Sequence, residues 1–312
     1  MALVSILIPL YNSESYIAET IQSALNQTWP NIEIIIVDDG STDNSYVIAK
    51  GFESTNVKVY QQQNSGACNA RNYAFYLSTG EYIQYLDADD LLAPDKIEQQ
   101  MQLFNQFGNS IVVSGIWGRF YESIQDVQWE EQVINKDYLS PINWLMDSWY
   151  GGGMAQTSIW LAPRHLIQNA GPWNEALKIN QDGEFFSRVV MQADTIKFSA
   201  NAKVYYRSGN VGSVSQSNKN RDKAASLLFS YRLYKENVKQ YHEQTIKKAL
   251  GNNFLNFIYQ YQSSFPDLCM DAEKEFKALN VGKIWPVGGR RFQQMAKIIG
   301  FKNALKIKNL TS

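Results

Sequence analysis

The first hundred residues alternate between two hydrophobic periods. LVSILIPL (3–10) is an almost continuous apolar run, as expected of a strand buried on both faces, and Ile17, Ile21, Leu25 and Trp29 then recur at every fourth position, which predicts an amphipathic helix. IEIIIVDDGSTDNS repeats the pattern, a strand ending in acids and a turn, with Ser41 or Asp43 placed to cap the next helix. VKVYQQ reads as a third strand, ACNARNYAFYLSTG as a third helix ending at Gly80, and YIQYLDADD as a fourth strand. A helix opening near Pro94 stripes Ile97, Met101, Phe104 and Phe107 along one face. This alternation predicts an α/β fold, a mostly parallel sheet flanked by helices and joined by right-handed crossovers.

Beyond residue 110 the period is less regular. SIVVSGIWGRF, QTSIWLAP and TIKFSANAKVYYR read as strands, separated by the aromatic-rich INWLMDSWYGGGM, whose Gly151 to Gly153 predict a loop. After the polar linker SGNVGSVSQSNKN the pattern becomes helical, over roughly 221–265 and 270–280. The expected division is a first domain over 1–215 and a C-terminal helical region over 216–312. Residues 276–312 carry eight basic residues and no acid, with Phe292, Met295 and Ile299 on one face of a helix starting near Arg290 and interrupted at Gly300. Two readings stay open for this tail: peripheral contact with an anionic membrane, or an apolar side packed on the protein with its lysines in water.

Composition narrows the function classes. With 45% hydrophobic residues in 312, the chain can bury a full core. Lys and Arg number 29 against 30 acidic residues, which leaves no overall basic field for nucleic acid. Two cysteines and two histidines form no zinc spacing and no disulfide framework, as expected of a reducing cytoplasm. The opening apolar run lacks a basic leader and reads as a strand, not a signal peptide, and no stretch approaches the roughly 20 apolar residues of a membrane span. The expectation is a cytoplasmic protein, soluble or peripheral at the inner face of a membrane.

Parallel strands deliver their carboxyl ends to one edge of a sheet, where ligands bind. VDDG and LDADD would bring Asp38, Asp39, Asp87, Asp89 and Asp90 toward that edge. Alternation along the fourth strand would put Asp87 and Asp89 on one face. Two such charges about 5 Å apart at an effective dielectric near 20 repel by roughly 3 kcal/mol. The edge is therefore either wet or completed by a cation. Neither G-x-G-x-x-G nor a P-loop follows the first strand, where PLYNSES stands instead. A phosphate ligand would need another cradle, and carboxylates holding Mg²⁺ or Mn²⁺ supply one.

Four segments, VSILIPLYNSESYIAETIQSALNQTW, IEIIIVDDGSTDNS, NSGACNARNYAFYLSTGEYIQYLDADD and WNEALKINQDGEFFSRV, in this order and over about residues 3 to 215, together resemble glycosyltransferase family 2. The resemblance implies a GT-A type, Rossmann-like fold with a C-terminal helical extension. It further implies an inverting, metal-dependent transfer of a sugar from a nucleotide-sugar donor, UDP being the commonest carrier, to a saccharide or lipid-linked acceptor. By the same resemblance Pro9, Tyr11 and Asn12 line the nucleotide pocket, Asp39 meets the base, and Gly66, Asn69 and Arg71 approach the nucleotide from a helix start. Asp87 meets the ribose or a metal-bound water, Asp89 ligates Mn²⁺ or Mg²⁺, and Asp182 is the catalytic base, although Gln181 stands where the family has Glu. Asp38 is open between the pocket and an anchor for the turn. Glu184 is the competing base, Trp173 and Asn174 are candidate acceptor contacts with Trp149 at the lip, and Arg207 and Ser213 lie where the family often closes a loop on the diphosphate. His165 reads as an ordinary helix residue. Two rivals remain, a sugar nucleotidyltransferase, which should open with a Gly-rich loop and a basic residue, and a catalytically silent nucleotide-sugar-binding module.

Overall fold

The structure is a computed structural model, and it describes residues 1–209, 220–285 and 287–311. The alternating pattern folds as β1 (Val4–Leu10), α1 (Ile17–Leu25), β2 (Ile32–Asp38), α2 (Ser45–Lys50), β3 (Val57–Gln61), α3 (Ala67–Leu77) and β4 (Tyr82–Tyr85). These strands form a sheet of order β3-β2-β1-β4, extended by the two-residue antiparallel strand Ala162–Pro163. β1 and β2 pair in parallel from Val4 opposite Ile32 to Leu10 opposite Asp38. Their side chains are the centre of the core: Val4, Ile6, Leu7, Ile8, Leu10, Ile34 and Ile36 are fully buried. The chain winds outward from β1 through β2 to β3 and then returns to place β4 on the other side of β1. That reversal opens a crevice beyond the carboxyl ends of β1 and β4, where an open parallel sheet binds ligands.

The second sheet is built from β5 (Leu91–Leu92), α4 (Lys96–Phe107), β6 (Ile111–Phe120), β7 (Gln128–Trp129) and, after α5 (Pro141–Asp147), β8 (Ala162–Pro163), α6 (Arg164–Ala170) and α7 (Gln181–Val190), the long strand β9 (Thr195–Arg207). Its order is β5-β9-β6-β7, with β6 and β9 parallel. Two expectations are corrected here. The fourth strand stops at Tyr85, so Asp87 to Asp90 lie in a turn, closed by Asp90 N donating to Asp87 O at 3.1 Å, and strand alternation does not orient them. QTSIWLAP is not a strand along its length: Thr157–Ile159 form a single 3₁₀ turn, because Gln156 caps it through Ser158 N, and only Ala162–Pro163 pair with β4.

The chain divides into two compact units. Both sheets belong to the first, which takes Met1–Trp144, Gly153–Glu175 and the described residues from Gln181 to 209. The second gathers Leu145–Gly152, Ala176–Asn180 and the described residues from 220 onward. Its helices are α8 (Arg221–Asn237), α9 (Gln244–Tyr261), α10 (Pro266–Ala278), α11 (Arg290–Ile299) and α12 (Phe301–Thr311). Trp149 belongs to this core rather than to a loop lip: it is 5% exposed, its ring lies 5.2 Å from Tyr234, and its carbonyl accepts from Asn252 Nδ2 at 2.8 Å. Gly300, with φ +83°, breaks the tail into α11 and α12. Phe292 packs on Tyr259 and Phe301 at centroid distances of 4.7 and 5.7 Å, and Lys302 pairs with Glu273 at 2.7 Å. Phe292 and Phe301 are thus covered within their own unit, whereas Ile298, Ile299 and Ile307 stay exposed. No helix of the described residues is long and apolar enough to cross a membrane.

β6 and β9 approach closely where their register shifts, between Gly115 and Ile116. A Cβ on Gly115 would stand 2.2 Å from the carbonyl oxygen of Ala202. A backbone atom inside a sheet cannot yield as a side-chain tip can. Gly115→Ala is expected to lower stability by about 3 kcal/mol, read as a fall in the urea midpoint, and an unchanged midpoint would show that the bulge absorbs the methyl group.

Candidate active site

The crevice at the end of β1 begins with residues whose side chains hold loops together. Pro9 lies in β1 opposite Val37, and Tyr11, just past the strand, is 48% exposed. Asn12 adopts a left-handed conformation, φ +45°, uncommon for a side chain that is not Gly. Its side-chain Oδ1 accepts from Thr42 N at 2.8 Å, and its backbone N–H donates to Ser41 Oγ at 3.0 Å. These bonds tie the end of β1 to the turn after β2. Asp38 is fully buried, and its Oδ2 accepts from Ser41 N and Gln61 Nε2 at 3.1 and 3.0 Å, so it anchors that turn.

Asp39, 2% exposed, does a second structural job. Its Oδ1 accepts from Gln62 Nε2 at 2.7 Å and Ser65 N at 2.8 Å, and its Oδ2 from Gly66 N at 2.8 Å. Gly66, φ +94°, is the turn into α3, and a carboxylate at that helix start satisfies N–H groups without an intrahelical partner. Asn69 and Asn72, one turn apart on α3, both donate to Glu175, at 3.1 and 2.9 Å. Asn72 also brackets Trp173, accepting from its N–H at 2.8 Å and donating to its carbonyl at 3.0 Å. These hydrogen bonds hold the Glu175 carboxyl below its usual pKa.

Arg71 joins the parts. Only 7% exposed, it donates to Asp87 Oδ1 at 2.8 Å and to Gln181 Oε1 at 3.1 Å, and its guanidinium lies 4.5 Å from the centre of the Trp173 ring. It therefore connects α3, the acidic turn after β4 and the start of α7. Gln181 serves as a neutral acceptor for this arginine. Trp173 has no open face for an acceptor: it is 2% exposed, with Arg71 beside it and Phe185 stacked 4.0 Å away at 11°. Asn174, next in the chain, is partly exposed.

The carboxylates do not act as one cluster. Asp38, Asp39 and Asp90 are buried, whereas Asp87 and Asp89 reach solvent. Asp90 Oδ1 accepts from Arg207 N at 2.9 Å and its Oδ2 from Gln156 Nε2. Burial, with Asp89 and Asp87 close by, pushes the Asp90 carboxyl well above the usual range. Arg207 is not part of an open loop: 7% exposed at the end of β9, it donates to Asp89 O at 2.9 Å and to Glu19 of α1 at 2.5 Å, over the Phe120 ring. Ser213 lies outside the described residues. Among the described residues no group of three or more His, Cys, Asp or Glu side chains is gathered as a metal site. Asp87 and Asp89 nonetheless fit Mg²⁺ or Mn²⁺ in chemistry, since either hard ion takes one or two carboxylates and fills its shell with water and substrate oxygens.

Asp182, in the first turn of α7, faces the same hub. Burial raises its pKa, and the charge of Asp87 adds to the rise, against the Gly183 N–H and the Arg71 charge, which lower it. Glu184 is differently placed: 2% exposed, it holds Arg188 by two bonds of 2.8 and 2.9 Å, and Arg188 in turn donates to the carbonyls of Ala170, Gly171 and Pro172. That is an anchor for the segment leading to Trp173. Cys68 and Cys269 are buried thiols, pushed up to about 11 and about 12, and neither is poised as a nucleophile. His165 is an exposed residue of α6.

Sequence reasoning missed Asn72, Glu175, Glu19 and Gln156. Asn72 carried a signal, since three residues from Asn69 it shares that residue's helix face. The others meet their partners across 66 to 188 residues, beyond any local pattern. Asp39→Asn replaces an acceptor among three donors by an N–H₂ group. It is expected to cost about 2 kcal/mol of stability and to loosen the start of α3, visible as faster amide exchange at Ser65 and Gly66. Unchanged exchange and an unchanged melting temperature would mean that the start of α3 is held by other means.

Comparison with known proteins places this geometry. The sequence model described as Glycosyl transferase family 2 matches residues 5–154. An uncharacterized glycosyltransferase of Rickettsia felis is 35% identical over 195 residues, 61% of this chain and 32% of that protein. Glycosyltransferase GlyG of Streptococcus pneumoniae is 37% identical over 145 residues, 43% of this chain and 48% of its own length. The minor teichoic acid biosynthesis protein GgaB of Bacillus subtilis is 28% identical over 251 residues, 78% of this chain and 27% of GgaB. The chain thus spans less than half the length of each of these relatives. Among solved structures, S. aureus TarS 1–349 in complex with UDP-GlcNAc superposes with a TM-score of 0.65 at 18% identity, over 96% of this chain and 92% of that one, a likeness of fold. Residues 5–154 of this chain are thus similar to glycosyl transferase family 2.

Proposed function

We propose that this protein transfers a sugar, with inversion, from a nucleoside-diphosphate sugar to an acceptor hydroxyl. The observation that carries the reading is the hub at the sheet's switch point. There one buried arginine holds Asp87 and the start of α7, so that Asp182, a carboxyl with a raised pKa, stands near Asp87, which reaches solvent. A UDP-sugar is the donor this reading favours, supported by the bound UDP-GlcNAc of the TarS structure, and the teichoic acid biosynthesis role in the name of GgaB supports an acceptor in polysaccharide synthesis.

Asp182 takes the proton of the acceptor hydroxyl as its oxygen attacks the anomeric carbon opposite the diphosphate. A positioned base of this kind contributes about 10²- to 10⁴-fold. The rise in its pKa suits the role, because a base that binds its proton more firmly removes one more readily. Asp89, supported through its backbone carbonyl by Arg207, and Asp87, oriented by Arg71, would hold Mg²⁺ or Mn²⁺ with the donor phosphates. The ion would offset the charge that develops on the departing nucleoside diphosphate.

Asp182→Asn is expected to leave UDP affinity within about twofold while lowering kcat about 10²-fold or more; near-normal turnover would move the base elsewhere. In the wild type, kcat/KM should fall as pH drops through the Asp182 pKa, with its inflection above the ordinary Asp value of about 3.9, and an inflection at or below that value would contradict the environment described here. Asp89→Asn should remove the Mn²⁺ dependence of UDP binding in calorimetry. If affinity and metal response are unchanged, Asp89 is not a ligand. Release of UDP from UDP-sugars in the presence of Mn²⁺ would separate an enzyme from a silent binding module, which would release none.

A further inference from the structure

Arg119, like Arg164, is a partly exposed arginine of the first unit with neutral hydrogen-bond partners only. Arg71, Arg188 and Arg207 each pair with a carboxylate, of Asp87, Glu184 and Glu19 respectively. Among the described residues Arg119 forms no ion pair. Its Nη1 donates to Ser208 Oγ at 2.7 Å, and its guanidinium lies 5.6 Å from the centre of the Trp117 ring and 5.2 Å from that of Tyr206. The two rings meet edge to face, 5.5 Å apart at 82°, and the Trp117 indole N–H is fixed by the carbonyl of Met154 at 2.9 Å. A half-buried cation is thus seated on a rigid aromatic support, with a single neutral hydroxyl as its hydrogen-bond partner.

Register fixes which side of the sheet it occupies. Arg119 pairs with Tyr206 and Phe120 with Arg207. Arg207 stacks on Phe120 and reaches Glu19 and Asp89, the side assigned above to the donor. Successive strand residues point to opposite faces, so Arg119 and Tyr206 face away from that side, at the same carboxyl end of the strands. Tyr121, 59% exposed, and Met154, 48% exposed, offer apolar surface close by in the chain contacts of this cluster.

We infer that Arg119, supported by Trp117 and Tyr206, is an anion-binding subsite for an extended acceptor, a saccharide that carries phosphate or carboxylate groups. The inference rests on the glycosyltransferase reading and adds the acceptor's charge to it. Partial desolvation without a counter-charge is unfavourable unless another partner arrives, and the ring faces offset only part of that cost. With only Nη1 engaged by Ser208, the guanidinium beside these rings keeps further N–H groups for two bonds to one oxyanion, a geometry that Lys cannot reproduce. The reacting hydroxyl belongs at Asp182, and Arg119 lies on the opposite face of the sheet from Arg207, so this subsite would bind a more distant unit of an acceptor chain that passes around the strand ends.

The test is calorimetry on the full chain with three probes, a glycerol-phosphate oligomer, an oligogalacturonate and a neutral malto-oligosaccharide, with UDP and Mn²⁺ titrated in parallel. The wild type should bind one of the anionic oligomers about tenfold or more tighter than the neutral one, and which of the two it prefers identifies phosphate or carboxylate. Arg119→Gln should abolish the preference and Arg119→Lys restore it only in part, with UDP affinity and melting temperature unchanged in both. Equal binding of charged and neutral oligomers, binding of none, or a preference that survives in Arg119→Gln would overturn the inference while leaving UDP binding intact. A wild type that binds no UDP would instead strike the glycosyltransferase reading, and this inference with it.

Discussion

A guanidinium cannot be buried without partners, and the arrangement of this site follows from how Arg71 finds them. Taking one partner from a buried ion pair typically costs about 3–5 kcal/mol, so the positions of Asp87, Gln181 and Trp173 around Arg71 are mutually enforced. Three segments far apart in sequence are thereby fixed against one another. Asp182 follows Gln181 directly, and its distance from the acidic turn is set by that contact rather than by its own side chain. The neutral amide at position 181 leaves Asp87 as the carboxylate ion-paired to Arg71, with Asp182 close enough for its pKa to feel the same charge.

The acids of the sheet edge illustrate how one residue type is divided among tasks. Asp38 and Asp39 bind backbone and amide N–H groups and so define the β2 turn and the start of α3. Asp90 ties the acidic turn to β9 and Gln156. With these three committed internally, the repulsion expected of five carboxylates on one rim is reduced but still felt at Asp90, whose pKa Asp89 and Asp87 help to raise. Asp87 and Asp89 are the two that partly reach solvent, and Arg207 braces the backbone at Asp89 from the neighbouring sheet.

The buried Lys96 meets the same requirement for partners. Lys96 is fully buried at the start of α4 and donates to Gln84, whose own N–H₂ group donates to the carbonyls of Tyr85 and Ser158. Burial holds the Lys96 amine well below its usual pKa. In the second unit, Phe292 and Phe301 give the basic tail an apolar seat, and Glu273 meets both Lys277 and Lys302. The tail's charge excess, conspicuous in the sequence, is in part balanced by acids that precede residue 276 in the chain.

The sequence by itself determined the strand and helix alternation and the mostly parallel sheet, because hydrophobic period is a local property that survives in one dimension, whereas Arg71, Asp87, Asp89 and Asp182 were singled out by family resemblance. It could not show that β4 ends before its acids, since a turn closed by one backbone bond looks like a continuing strand in the residue pattern. Nor could it show that Trp173 and Trp149 are core, that Arg207 is a brace, or that Asn72 and Glu175 clamp α3 to the approach of α7. Those roles were decided by the tertiary structure alone, because burial and hydrogen-bond satisfaction depend on which distant segments arrive beside a side chain, and a buried polar group takes whatever partner the packing brings within reach.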